Sequence, residues 1–131
     1  MGASPLGTAA TVAYEAIVRL CATDLPPLEL LEQVACRVRS VVPYAAAGWM
    51  PTDPATLLWT ATFAENVSRS GHLGLIDNEL TVGDVGKFCE IARLPRPVLL
   101  LSDATGGQLE RSARYRKLYA RGQVRDELRV A

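Results

Sequence analysis

AAAGWMPTDPATLLWTATFA, residues 45–64, is the stretch on which the fold turns. Two apolar runs, Ala45 to Met50 and Leu57 to Ala64, flank Pro51-Thr52-Asp53-Pro54-Ala55. That link is too short and too rich in turn formers for anything except an antiparallel hairpin or an equivalent tight connection. Pro51 ends the first strand. In the second run Leu57, Trp59, Ala61 and Phe63 alternate with Leu58, Thr60, Thr62 and Ala64. One face is therefore large and apolar and the other small or hydroxylated, as in a sheet with one well-covered face. This hairpin is the expected structural centre.

Two helices precede it. From Thr8 to Ala22, Ala9, Ala13, Ala16, Ile17 and Leu20 share a stripe, with Glu15 and Arg19 paired four apart outside it. Asp24, Pro26 and Pro27 break the chain, proline suiting a first helical turn but not an interior. A second helix is expected from about Leu28 to Val42, with the strongest periodicity in the chain. Leu28, Leu31, Val34, Ala35, Val38, Val41 and Val42 cover one arc, opposite Glu29, Glu32, Gln33, Arg37, Arg39 and Ser40, so one face is built for burial. Pro43 stops it.

Beyond the hairpin the pattern weakens. Gly71, Gly74, Gly83 and Gly86 interrupt residues 65–94, and only Val85 to Leu94 has helical spacing, through Val85, Phe88, Cys89 and Ala92. The segment is expected to be a mobile or loosely helical excursion. Leu94-Pro95-Arg96-Pro97 forces an extended entry into Val98 to Leu101, an apolar run of buried-strand character. Asp103 to Gly107 is expected to turn, a basic helix to start near Ser112 and end at Gly122, and Asp126 to Val130 to begin another strand.

The chain has 131 residues, 49% of them apolar and 21% charged, with 14 basic side chains against 14 acidic, which is ordinary globular-domain chemistry. One domain is expected over residues 1–131, with residues 1–11 flexible. Apolar content is too high for disorder, and no apolar stretch approaches the roughly 20 residues that span a bilayer. The amino terminus lacks both the basic start and the unbroken apolar core of a signal peptide, so a cytoplasmic location is expected. Cys21, Cys36 and Cys89 are widely spaced and accompanied by one histidine, which supports neither a disulfide framework nor a zinc site; reduced, mostly buried thiols are expected.

Charge is uneven along the chain: residues 1–60, 61–110 and 111–131 carry net charges of −2, −3 and +5. The basic end, with Arg111, Arg114, Arg116, Lys117, Arg121, Arg125 and Arg129, has the composition to steer a nucleic acid or an acidic partner. A solvated surface is the better reading, because Arg114, Lys117 and Arg121 share one helical side opposite Tyr115, Leu118 and Tyr119.

Catalytic chemistry finds little support. His72 is the only imidazole and has no nucleophile in a recognisable elbow nearby. Asp77 with Glu79, and Asp126 with Glu127, are too close in sequence to converge without a fold that brings them together. Gly106-Gly107 lacks the Lys-Ser/Thr of a phosphate loop and is read as a turn. No catalytic residue, metal or cofactor is expected. A pocket is the remaining possibility: Trp49, Trp59, Phe63 and Phe88 lie on the hairpin or the excursion, alongside Asn66, Asn78, Glu79 and Lys87. These eight are the candidate ligand-binding residues, since small-molecule sites are apolar with a few placed polar groups.

The order of elements, two amphipathic helices, a hairpin, an irregular helical excursion, a strand, a helix and the start of a strand, resembles that of GAF small-molecule sensor domains. More narrowly, VVPYAAAGWMPTDPATLL (Val41 to Leu58), ENV (Glu65 to Val67), DNEL (Asp77 to Leu80), DVGKF (Asp84 to Phe88), ARLPRPV (Ala92 to Val98), SARYRKLY (Ser112 to Tyr119) and DELRV (Asp126 to Val130) resemble the amino-terminal GAF-like domains of actinobacterial LuxR-type transcription regulators. The likeness runs from about residue 12 to the end. It implies an α+β fold, a GAF-like antiparallel sheet flanked by helices, with strand order 2-1-5-4-3. It also implies a small-molecule ligand or signal received over one face, homodimerisation or heterodimerisation through the terminal helices, and a carboxy-terminal helix-turn-helix. Because the family continues past the point matched by Ala131, the sheet is expected to be incomplete, with its central strands missing, and direct nucleic-acid binding by this chain is not expected. Neither is membrane association. Three readings follow: a sensory domain of a LuxR-type regulator, a stand-alone module that heterodimerises with full-length regulators, and a small enzyme with an unrecognised site.

Overall fold

Pro26 and Pro27 act as the sequence anticipates. Pro27 opens a helix whose first backbone bond runs from Leu30 N–H to the Pro26 carbonyl, so neither missing proline donor leaves a partner unsatisfied. In this computed structural model, which describes residues 7–122 and 124–131, the chain divides after Asn66 into two compact units. It is an α+β protein with two antiparallel sheets of two strands each among the described residues.

The first unit contains α1 (Thr8–Cys21), α2 (Pro27–Arg39), β1 (Ala47–Trp49) and β2 (Phe63–Glu65). Residues 1–6, part of the segment expected to be flexible, lie outside the described residues, while Thr8 to Thr11 form the opening turn of α1. Helices α1 and α2 pack together, with Ala13 and Ala35 buried; small side chains let two helix backbones approach closely. Glu29 in the first turn of α2 and Arg37 and Arg39 in its last turn complement the helix dipole. Regular helix ends at Arg39, three residues short of the expected Val42; the Ser40 hydroxyl donates to the Arg37 carbonyl, and both Val41 and Val42 N–H groups converge on Val38.

The hairpin is present and antiparallel, with Trp49 opposite Phe63, Gly48 opposite Ala64 and Ala47 opposite Glu65. Its strands are shorter than expected. Beyond the ladder Thr52 pairs with Trp59 instead of Thr60, a one-residue slip that marks a bulge. The turn is built on Asp53, whose Oδ1 accepts from the N–H groups of Ala55 and Thr56, and it places Leu57 at φ +60°.

The second unit contains α3 (Arg69–Thr81), α4 (Phe88–Ile91), β3 (Val98–Leu100), α5 (Leu101–Ala104), a 3-10 turn (Leu109–Arg111), a π-helical turn (Tyr115–Tyr119) and β4 (Leu128–Val130). Here the sequence expectation is corrected. The excursion holds a regular 13-residue helix where no stripe was seen, and the helix expected from Val85 to Leu94 contracts to one turn. Ser68 caps α3 by accepting from Gly71 N–H at 3.1 Å. Gly74 sits under Leu118, where a Cβ would come within 2.6 Å of that side chain, so the glycine that weakens the helix locally is required by its neighbour. The late start of α4 has a local cause: Gly86 adopts φ +66°, a left-handed conformation that cannot continue a helix.

β3 and β4 pair antiparallel, with Val98 opposite Val130, Leu99 opposite Arg129 and Leu100 opposite Leu128. Ile91, Leu101 and Ala113 are buried. So are Thr105, Ser112, Arg114 and Arg129, giving this unit a polar interior for its size. The other face of the ribbon leaves Val98, Leu128 and Val130 exposed.

Candidate functional site

The eight candidate ligand residues fall four to each unit. In the first, Glu65 organises the end of the hairpin. The indole Nε1–H of Trp49 donates to Glu65 Oε2 at 2.9 Å and the Tyr44 hydroxyl to the same oxygen at 2.7 Å. The other oxygen, Oε1, is ion-paired with the Arg39 guanidinium, which also lies 5.9 Å from the Tyr44 ring centroid. Glu65 is nearly enclosed, its side chain 10% exposed, whereas that of Arg39 is 51% exposed. Asn66, at φ +55°, donates from Nδ2 to the Ala45 carbonyl and so ties the hairpin ends together. Phe63 sits across the ladder from Trp49, and Trp59 faces Thr52 beyond the bulge. Glu65, Tyr44 and Arg39 were not among the candidates. The signal for Glu65 is its place at the end of the alternating face that carries Trp59 and Phe63, where a charge requires partners.

In the second unit three of the other four candidates, Asn78, Glu79 and Phe88, join a buried ionic network. Asn78 Nδ2 donates to Asp84 Oδ2, while Asn78 Oδ1 is buried without a hydrogen-bond partner. Glu79 accepts from Phe88 N–H through Oε1 at 2.7 Å and pairs with Arg129 through Oε2 at 3.0 Å. Phe88 lies under the Arg129 guanidinium, 4.4 Å from ring centroid to Cζ, a cation–π stack. Lys87 is the N-cap residue of α4 and makes no side-chain cap bond there.

Asp84, Arg114 and Glu127 form the centre of this network. Asp84 accepts from the N–H groups of Val85, Ala113 and Arg114, from Ser112 Oγ and from Asn78. Arg114, expected on a solvated surface, is fully buried. Its Nε donates to Glu127 Oε1 at 2.8 Å, its Nη1 donates to the Val85 carbonyl at 2.6 Å, and Nη1 stands 3.3 Å from Asp84. Arg129 Nε and the Tyr119 hydroxyl complete the shell of Glu127. Desolvation works to raise the Asp84 carboxyl, but hydrogen bonds from the Arg114 N–H, the Asn78 amide and the Val85 and Ala113 N–H groups outweigh it and bring it down to about 2. Glu127 is likewise held below the usual carboxylate range: burial opposes this, and Arg129 and Arg114 prevail. Burial and the adjacent Glu127 carboxylate push the Tyr119 phenol well above its ordinary value. These carboxylates and guanidiniums are paired with one another, so the arrangement holds α3, the π turn and β4 together, with Asn78 Oδ1 and Arg114 Nη2 left without a hydrogen bond.

Asp77, paired in the sequence reading with Glu79, accepts from the Thr81 hydroxyl on α3. Asp126 accepts from Ser102, whereas its neighbour Glu127 turns into the network. His72 lies half-buried on α3. All three cysteines are free, but Cys21 and Cys36 are exposed and Cys89 is intermediate, which corrects the expectation of mostly buried thiols. Gly106 and Gly107 form a left-handed turn, as expected. Among the described residues no group of three or more His, Cys, Asp and Glu could hold a metal ion, and no helix is long and apolar enough to cross a membrane.

Two clefts accompany these clusters. One, of about 610 Å³, is lined by Tyr115, Ala120, Gly122, Val124 and Arg125; the other, of about 320 Å³, runs between α1 and the end of α2 along Val12, Ala13, Ala16, Arg37 and Val41. No family model, curated protein or solved structure matches the chain.

Proposed function

We propose that this chain is a GAF-like, signal-receiving regulatory domain of a LuxR-type transcription regulator, acting in the cytoplasm without catalysis of its own. The observation that carries the reading is the order of elements: two helices, an antiparallel hairpin, a helical excursion, then a strand paired antiparallel with the last one. Pairing of the buried carboxylates with the buried guanidiniums supports a scaffold over an active site. In this reading the hairpin unit receives a small molecule, the chain pairs through its helices, and a helix-turn-helix domain contacts DNA.

The test joins residues 1–131 to a helix-turn-helix domain that binds its operator only as a dimer, and measures operator occupancy by fluorescence anisotropy. The expected result is occupancy at least tenfold above that of the DNA-binding domain alone. Equal occupancy, with the fusion monomeric by light scattering, would overturn the proposal.

A second reading, an interaction module that heterodimerises with full-length regulators, draws on the exposed Val12, Tyr14 and Val18 of α1. It predicts that the separate chain lowers the occupancy of a full-length regulator by subunit exchange. Unchanged occupancy at excess chain counts against it.

A further inference from the structure

We infer that Glu65, Tyr44 and Trp49 form a binding site for a small guanidinium-bearing molecule, and that Arg39 occupies it as an internal stand-in. The argument begins with the asymmetry of the carboxylate. Glu65 Oε2 is held by the Trp49 indole N–H at 2.9 Å and by the Tyr44 hydroxyl at 2.7 Å, two donors that do not depend on Arg39. They orient the carboxylate and leave its second oxygen for a cation.

That cation is supplied by the last residue of α2, over the face of Tyr44. The receptor side and the occupant differ in how firmly they are held. Glu65 is nearly enclosed and sits in the β ladder opposite Ala47, so it cannot leave without breaking the hairpin. Arg39 is half exposed and ends a helix, and a long cationic side chain in that position has the solvent and the helix C-terminus as alternative partners. An incoming guanidinium reproduces what Arg39 provides: planar donors for a carboxylate and a cation for an aromatic face. An aromatic or apolar extension on the ligand would add contact that the aliphatic stem of Arg39 does not make. Arg39 then acts as a competitor at high local concentration, which sets the threshold for the external ligand. The inference deepens the sensory reading by naming the chemical class of the signal, and as a signal it rests on that reading. Binding itself is read on the 131-residue chain and DNA occupancy on the fusion, so either can fail alone.

The experiment titrates phenylguanidine, with neutral phenylurea as its isosteric control, into the wild-type chain, Arg39→Ala, Glu65→Gln and the double variant. The readout is the indole N–H resonance of Trp49, with Trp59→Phe used to assign it. Circular dichroism checks the fold, and Arg39→Gln, which keeps most of the stem, repeats the comparison if Arg39→Ala is unfolded. The expected result is a saturable shift of the Trp49 resonance by phenylguanidine, at least tenfold tighter in the Arg39 variant than in wild type, absent with phenylurea and lost with Glu65→Gln. Equal affinity in wild type and the Arg39 variant would overturn the inference. So would a comparable response to phenylurea, persistence in the double variant, or no saturable shift in a folded Arg39 variant.

Discussion

Replacing Asp84 by Asn should unfasten the second unit, and by an amount that depends on pH. The carboxyl falls from 3.8 to about 2 in the folded chain, and at about 1.4 kcal/mol per pKa unit this corresponds to about 2 kcal/mol of stability at neutral pH. Because the folded value is depressed, this contribution is present above pH 3.8, declines as pH falls through it, and is gone below about 2. The amide adds a second, pH-independent loss. Asp84 accepts from five donors spread over both oxygens, and an amide retains one oxygen, turning an NH2 group toward N–H groups that then lack a partner. Each stranded buried donor costs about 1–3 kcal/mol and at least two are stranded, so the total at pH 7 should be about 4–8 kcal/mol. Urea unfolding followed by far-UV circular dichroism measures it, and amide hydrogen exchange at Ala113 and Arg114 assigns the loss to this unit. The difference between wild type and variant should shrink by about 1 kcal/mol between pH 7 and pH 3. A loss below about 1 kcal/mol at pH 7, or a difference independent of pH, would refute the role given to Asp84.

Two further substitutions test the local argument. Gly86→Ala adds a Cβ within 2.8 Å of Leu99 at φ +66°, whereas Gly106→Ala meets open space at φ +61°; the first should cost about 2–3 kcal/mol and the second about 1, so thermal unfolding that ranks them the other way rejects the packing explanation. Ser68→Ala removes the cap of α3 and should lower stability by about 1 kcal/mol, with faster hydrogen exchange confined to the first turn of that helix; unchanged exchange there would show that the cap is redundant.

Much of the secondary structure was legible because it is specified locally. The stripe of α1, the arc of α2, the prolines that bound it and the alternation in the hairpin each follow from neighbours within a few residues, and each element formed over a shorter span than expected. The strand at Val98 was readable as an apolar run and the one near Val130 as the start of a strand, but their pairing joins segments about 30 residues apart. Helix α3 was missed because its evident features, two early glycines and no apolar stripe, argue against a helix; one of those glycines answers to Leu118, more than forty residues away. Of the residues in the two side-chain clusters, Trp49, Phe88, Asn78 and Glu79 were named from the sequence. The carboxylate that joins Trp49 to Tyr44 was not, since sixteen and twenty-one residues separate Glu65 from its donors.

Arg114 states the division most clearly. By itself the sequence determined that the last twenty-one residues are basic and that Arg114 lies on the side of its turn opposite Tyr115 and Tyr119. Only the tertiary structure decided that this arginine is interior, because its burial depends on Asp84 and Glu127, thirty positions before it and thirteen after. Helical and strand periods are set by covalent geometry over a few residues, so a chain displays them in its sequence. The burial of a charge depends on whether distant partners arrive to replace its water, and that is settled only when the fold closes.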